Sequence, residues 1–349
     1  MQQHEGYMRR CLELACLGMG SVSPNPMVGA VIVCDDRIIG EGYHKAFGEA
    51  HAEVNALRSV LDTHANGHEL LKRSTIYVSL EPCVHFGKTP PCTDLIINNN
   101  IPRVVVGCSD PYGQVNGKGI EKLRDAGVEV VIGVLEHECL LLNKRFDTRI
   151  KQQRPYIILK WARTRDGFFA PADLSQKWIT ARSAKQLVHK WRSEEDAVLV
   201  GSNTVRADNP RLNVREWSGK SPVRIVVDRN LELAKNLHIF DQSQDTIIFN
   251  ALKTELDGRI KYLELEDFGN LLPQLICYQL YLMDVQSVII EGGATILGLF
   301  ISAGLWDEAR VFTGTGEWTR GIKSPSLPGS PLETLNIGPD ILTIWRNNL

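Results

Sequence analysis

A chain of 349 residues exceeds the usual size of one domain and leads to an expectation of about two. Its hydrophobic fraction of 43% and charged fraction of 23% are those of an ordinary globular protein. A formal net charge of −2 argues against a broad nucleic-acid footprint, while leaving room for a local basic pocket that takes one phosphate.

The opening "MQQHEGYMRRCLELAC" carries charges through its apolar face, so residues 4–19 read as an amphipathic helix rather than a signal peptide. No run approaches about 18 uninterrupted apolar residues, so no membrane span is expected and a cytoplasmic location is. "PMVGAVIV" follows as a buried strand, then a helix opened by His51, then the strand "TIYVSL". After a cysteine-bearing loop come helix "CTDLIINNN", strand "RVVVGC", helix "GIEKLRDAG" and strand "VEVVIGV". This alternation predicts a sheet containing parallel strands with helices on its faces. The polar segment "LNKRFDTRIKQQRP" interrupts it and reads as a helix ending just before Pro155. It divides the chain into domains 1–150 and 151–349. Beyond it the alternation restarts with strand "YIILKWA", helix "SAKQLVHKW", and strands "DAVLVGS", "VRIVVD" and "TIIF". "SVIIEGGATILGLFISAGLWDEARVF" then reads as strand, Gly-Gly turn, helix and strand.

His51 and Glu53 stand at the head of the second helix. Two residues advance a helix by about 200°, so mid-helix they would face opposite ways. Only in the first turn can both serve one site, over a helix end that favours anionic groups. A thiolate-bound metal is one such group. Of the eight cysteines, only Cys83 and Cys92 lie in Pro-, Gly- and His-rich surroundings. His51, Cys83 and Cys92 would give one Zn²⁺ per chain an imidazole and two thiolates, leaving the fourth position that catalytic zinc keeps open for water. Glu53 could then take a proton from that water and deliver it to a substrate. The implied chemistry is hydrolysis at an amidine-like carbon, with ammonia leaving. Zinc deaminases share the pattern His-x-Glu, then Pro-Cys-x-x-Cys, with the glutamate not a ligand. Here eight residues rather than two separate the cysteines. A structural four-ligand site that adds His85 is the competing reading, and it leaves Glu53 without a purpose.

In the second half there is no G-x-G-x-x-G fingerprint. The turn in "EGGATILG" could hold a phosphate on its N–H groups. Arg211 and Arg215 in "VGSNTVRADNPRLNVR" could clamp one. The residues alone stop at a second α/β domain able to bind an anion.

"PNPMVGAVIV", "GYHKAFGEAHAE" and "EPCVHFGKTPPC" resemble the deaminase half of the bifunctional riboflavin-biosynthesis deaminase–reductases. In that family the longer cysteine loop is usual. The resemblance implies a cytidine-deaminase-like three-layer α/β/α domain in which Asn25, His44 and Lys88 contact the pyrimidine or its sugar phosphate. "RPYIILKWARTRDG", "KWIT", the run from Val200 to Arg215 and "EGGATILGLFISAGLWDE" resemble the reductase half. They imply a dihydrofolate-reductase-like domain using NADPH. The cofactor positions become Ala162, Trp178, Thr204, Asp208, Gly292 and Gly293. The substrate positions become Arg192, Leu212, Arg215 and Glu291, with the arginines suited to the ribose phosphate and Lys160 beside the reacting carbon. Three departures stand out: Arg165 replaces an apolar residue, Gln176 replaces a serine with Ser175 one place earlier, and the tail "TGTGEWTRGIKSPSLPGS" matches the family's loop poorly. The resemblance implies a small-molecule pyrimidine ribosyl phosphate as substrate, deaminated and then reduced from ribosyl to ribityl, in a homo-oligomer. The rival readings are a deaminase with an inactive reductase-like domain, a deaminase of tRNA or free bases, and a zinc-stabilised binding module without turnover.

Overall fold

The computed structural model of the protein describes residues 2–84, 86, 90–113, 117–172 and 178–347. The chain divides into two compact units, Met1–Gln152 and Gln153–Leu349.

The first unit runs α1 (Gln2–Cys16), β1 (Gly29–Cys34), β2 (Arg37–Tyr43), α2 (Ala52–Thr63), α3 (Gly67–Leu71), β3 (Thr75–Leu80), α4 (Cys92–Asn98), β4 (Arg103–Cys108), α5 (Lys118–Asp125), β5 (Glu129–Ile132), α6 (Glu136–Leu142) and α7 (Lys144–Gln152). Its sheet has the order β2-β1-β3-β4-β5. β1 is antiparallel to both neighbours, whereas β3, β4 and β5 are parallel. Alternate residues of each strand feed two cores, as the two-residue period of a strand demands. Ile32, Ile76, Val78, Val104 and Val106 pack against Ala56, Leu57 and Val60 of α2, Ile96 of α4 and Leu123 of α5. Val31, Val33, Tyr77 and Val105 face the other way, onto Met8, Cys11 and Leu14 of α1 and Cys139 of α6. The result is a three-layer α/β/α unit. Gly42 on β2 lets α2 approach: a Cβ there would lie 2.3 Å from the Ala56 nitrogen and 2.5 Å from the Ala52 carbonyl oxygen.

The second unit runs β6 (Tyr156–Arg163), β7 (Phe168–Pro171), α8 (Arg182–Glu194), β8 (Ala197–Gly201), α9 (Ser202–Asp208), β9 (Val223–Val227), β10 (Thr246–Asn250), β11 (Glu255–Asp257), β12 (Ile260–Glu264), α10 (Leu272–Leu282), β13 (Ser287–Gly292), α11 (Ala294–Ser302), β14 (Glu308–Thr313), β15 (Gly321–Lys323), β16 (Glu333–Ile337) and β17 (Asp340–Arg346). Ten strands form one sheet in the order β11-β12-β10-β9-β8-β13-β6-β14-β17-β16, with β15 and β7 as a separate pair. From β12 to β14 the neighbours are parallel, and β11, β17 and β16 close the edges antiparallel. Ile276 and Leu280 of α10 and Leu297 and Phe300 of α11 cover one face. Val188 and Trp191 of α8 cover Ile158, Ile289 and Phe312 on the other. The carboxyl ends of β6, β8 and β13 therefore emerge side by side at a switch in strand order, where open parallel sheets place their ligands. Among the described residues no helix is long and apolar enough to cross a membrane.

The sequence reading assigns no element to β2, β7, β11, β12, β15, β16, β17, α3, α9 and α10. β2 is absent from the sequence reading because it is a half-exposed edge strand containing two glycines, with no apolar run. The polar segment forms one helix, α7, as expected; it ends at Gln152, three residues before Pro155, and Asn143 separates it from the preceding α6.

Candidate active sites

In the first unit α2 begins immediately after His51, whose backbone is extended (φ −68°, ψ 165°). Its imidazole thus sits at the helix mouth and Glu53 in the first turn. Cys83 follows the end of β3, and Cys92 is the first residue of α4. His51 Nδ1 lies 3.6 Å from Cys83 Sγ and 3.3 Å from Cys92 Sγ, and the three donor atoms all lie within 4.8 Å of one another. A tetrahedral zinc with ordinary Zn–N and Zn–S bonds needs N···S edges of about 3.5 Å. The donor set and its spacing fit zinc. The Cys92 N–H points at Cys83 Sγ at 3.4 Å, while the Thr93 N–H and hydroxyl both donate to the Cys83 carbonyl at 3.2 Å.

The two thiols differ in acidity. The hydrogen bond from Cys92 pulls the Cys83 thiol down to about 4 against the opposing effect of burial. Cys92 is raised by the same contact and by burial. Glu53 is not one of the three donors and is only 3% exposed. Burial raises its carboxyl pKa, and the nearby His51 charge opposes the rise.

Asn25 and His44 come to the same place. The His44 Nδ1–H donates to the Ala50 carbonyl at 3.1 Å, which leaves Nε2 to accept the Asn25 Nδ2–H at 3.0 Å. Burial lowers the His44 pKa and favours the neutral ring. Its ring meets His51 edge-on, with centroids 5.6 Å apart. Lys88 and His85 lie outside the described residues.

Two residues with no assigned role in the sequence reading support this site. Glu81, just before Pro82 and Cys83, is 3% exposed, and its carboxylate accepts the N–H groups of Asp110, Gly117, Gly119 and Ile120 at 2.9–3.3 Å. Asn55 ties the Tyr43 and Ala50 carbonyls together at 2.9 and 3.2 Å, closing the loop that carries His44 toward His51. Glu81 stands in the quoted motif, but nothing in the motif shows that its partners lie 29–39 residues away.

The second unit opens a cavity of about 660 Å³ at the carboxyl ends of β6, β8 and β13. Lys160 and Ala162 reach it from β6, Thr204 and Asp208 from α9, and Glu291, Gly292 and Gly293 from the end of β13. Trp178, Arg192, Leu212 and Arg215 complete the set of second-half positions carried from the resemblance, all lining this one cavity. Gly293 has a left-handed backbone (φ 81°) at the head of α11, a conformation that favours glycine.

Charge in the cavity is closely arranged. Arg192 forks onto Glu291, Nε to Oε1 at 2.6 Å and Nη2 to Oε2 at 2.8 Å, and its Nη1 donates to the Asn213 carbonyl at 3.1 Å. Three of its five N–H donors are thereby used. Arg215, itself exposed, donates from Nη1 to Asn213 Oδ1 at 3.1 Å. Lys160 Nζ stands 3.8 Å from Glu291, and burial lowers its pKa despite that carboxylate. Burial alone would raise Glu291, but Arg192 and Lys160 outweigh it and hold the carboxyl at about 2. A depressed carboxyl favours the folded state above its unfolded pKa of about 4.3, and that contribution is lost as pH falls toward the folded value. Wild-type protein is therefore expected to lose stability steeply between about pH 4 and 2. E291Q should make that loss shallower in acid titrations followed by circular dichroism, with Asp241, also held at about 2, still contributing.

His189 has no place in the sequence reading, although it lies in the quoted "SAKQLVHKW" helix. It lines the cavity, and its Nδ1 accepts the Arg215 N–H at 3.4 Å. Burial and the two neighbouring arginines push its pKa down to about 4. Lys185, His189 and Arg192 stand along one face of α8 and grip Glu216, Arg215 and Asn213 in turn.

Arg165, one of the departures from the family pattern, does not line the cavity. The Arg165 side chain is 75% exposed, 3.9 Å from Glu317, and its N–H donates to the Gly316 carbonyl at 2.8 Å. In the divergent tail, Asp166 accepts the N–H groups of Trp318 and Thr319 at 3.1 and 2.8 Å. This brings Trp318 and Ile322 to the cavity wall. Gln176 and Ser175 lie outside the described residues.

Comparison with known proteins accords with both sites. A family model described as the cytidine and deoxycytidylate deaminase zinc-binding region matches residues 1–108, and one described as the RibD C-terminal domain matches residues 155–315. Riboflavin biosynthesis protein RibD of Aquifex aeolicus is 40% identical over 358 aligned positions, covering 98% of this chain and 98% of that protein. RibD of Escherichia coli is 37% identical over 374, covering 97% and 98%. The crystal structure of a diaminohydroxyphosphoribosylaminopyrimidine deaminase/5-amino-6-(5-phosphoribosylamino)uracil reductase from Thermotoga maritima is 37% identical and superposes with a TM-score of 0.90 over 99% of each chain. RibD of Acinetobacter baumannii, 33% identical, reaches the same score over 100% of this chain and 99% of its own. The chain belongs to the RibD family: it is a riboflavin-biosynthesis enzyme of two activities, a zinc-dependent deaminase and an NADPH-dependent reductase.

Proposed function

We propose that residues 1–150 deaminate C2 of 2,5-diamino-6-ribosylamino-4(3H)-pyrimidinone 5′-phosphate. Residues 151–349 then reduce the ribosyl group of 5-amino-6-(5-phosphoribosylamino)uracil to ribityl. The observation that carries this reading is the three-donor cluster of His51, Cys83 and Cys92 with the buried, non-donor Glu53 beside it.

Zinc held by those residues would make water a nucleophile near neutral pH. Glu53 would move the protons: one from the attacking water to the adjacent ring nitrogen as the oxygen adds to C2, and the remaining hydroxyl proton to the departing amino group, which leaves as ammonia while C2 becomes a carbonyl carbon. The high pKa that burial gives Glu53 suits it to both halves of that transfer. Asn25, oriented by His44, presents its amide to the edge of the pyrimidine, and Lys88 serves the carbonyl or phosphate.

In the reductase unit bound NADPH would supply the hydride. Ala162, Trp178, Thr204, Asp208, Gly292 and Gly293 hold the cofactor. Arg215 takes the ribose phosphate, and Leu212 packs against the substrate. Arg192 holds Glu291, and Lys160 stands beside C1′. The family resemblance extends the proposal to a homo-oligomer in the cytoplasm.

The test supplies purified protein with the deaminated, still ribosylated uracil phosphate and NADPH. NADPH oxidation with a ribityl product is expected, alongside ammonia release from the diamino substrate. Ammonia release without oxidation would restore the reading of a deaminase carrying an inactive reductase-like domain.

A further inference from the structure

Asn143 belongs to the polar stretch that reads from sequence as a connection between domains. In the structure it is 5% exposed, at the break between α6 and α7. Its side-chain amide pairs with the backbone of Met27 in both directions. Oδ1 accepts the Met27 N–H at 2.8 Å, and Nδ2 donates to the Met27 carbonyl at 2.9 Å. Met27 itself is 7% exposed. β1 begins only at Gly29, so Asn143 supplies for Met27 the pairing that a neighbouring strand supplies further along.

Such a double bond fixes both the place and the tilt of the Met27 peptide units. Two residues upstream stands Asn25, with Pro26 between them. The proline ring locks one of the few soft torsions that separate Met27 from Asn25. From Asn25 the amide reaches His44 at 3.0 Å, and the His44 ring meets that of His51.

We propose that Asn143 is a positioning residue for the deamination: it fixes the segment Asn25–Pro26–Met27 and so the direction in which Asn25 meets the pyrimidine. The proposal rests on the reading of Asn25 as a substrate contact.

The test uses the full-length, zinc-loaded protein and compares N143A, N25A and the double variant in ammonia release, zinc content and NADPH-dependent reduction. N143A is expected to raise KM for the diamino substrate about tenfold, with kcat changed less than about threefold. Zinc content and the reductase rate of the same chain should not change. If Asn143 acts through Asn25, the double variant is no worse than N25A alone. An N143A KM equal to wild type, where N25A does raise KM, overturns the positioning role and leaves Asn25 standing. An unaltered KM in N25A overturns the substrate contact and the proposal with it. Additive losses overturn it as well, because Asn143 would then act by another route. A joint fall of kcat, zinc content and melting temperature in N143A would point to a structural role. N143S, whose hydroxyl can serve one Met27 group, then decides: KM raised alone supports positioning, and the same joint fall overturns it.

Discussion

Exchange of Glu53 for glutamine is expected to lower kcat for ammonia release by about 10²- to 10⁴-fold while leaving the metal in place. Glutamine has nearly the shape of glutamate, so the first turn of α2 and the approach of β2 at Gly42 are undisturbed. His51, Cys83 and Cys92 remain as the complete donor set, so zinc content should stay at about one ion per chain. Only the capacity to take and return a proton is lost. The measurement pairs an ammonia-release assay with metal analysis on the same preparation. Wild-type turnover in the variant would remove Glu53 from the chemistry. Loss of zinc along with turnover would instead make it part of the metal site. NADPH-dependent reduction by the same chain serves as an internal control and should not change.

Truncation of Arg192 to alanine is expected to be the most destabilising single change at the reductase site. The Arg192 and Glu291 side chains are 10% and 8% exposed, joined by two short hydrogen bonds. Removing the guanidinium leaves a buried carboxylate with Lys160 3.8 Å away as its remaining ion-pair partner. Breaking a buried pair in this way costs about 3–5 kcal/mol. All seven tryptophans, from Trp161 to Trp345, lie in the second unit. Tryptophan fluorescence in a urea titration therefore reports this unit selectively. A double variant that also replaces Glu291 with leucine should recover most of the loss, because no unpaired charge is left behind. A cost below about 1 kcal/mol for R192A would mean that the pair behaves as a solvent-exposed one.

The metal centre was legible because its chemistry narrows the choice so strongly. A histidine and a glutamate two apart are useful together only at a helix mouth, and only two cysteines had loop surroundings. The cavity was legible by resemblance, in that the carried second-half positions all line it. What escaped is the way side chains serve one another. Residue type presents Arg192 as a phosphate arginine; the fold turns it onto Glu291 and Asn213 and leaves Arg215 exposed. His189, Glu81 and Asn143 looked ordinary because their partners are backbone groups brought near by folding, and no periodic pattern marks a backbone N–H. β2 escaped for the opposite reason: an edge strand with one wet face carries little apolar signal.

The bonds around Cys83 and Cys92 also bear on how such a site can diversify. Glu81 anchors the approach to Cys83, and Thr93 and the Cys92 N–H clasp the two cysteine ends to each other. Between them the chain leaves and returns through a closed neck. Insertion there costs only the entropy of a larger ring, which grows with the logarithm of its length. Going from the two intervening residues of other zinc deaminases to the eight found here costs about 1 kcal/mol. The length of the ring can thus change while the two cysteines keep their places, much as a tool head is changed on an unaltered shaft.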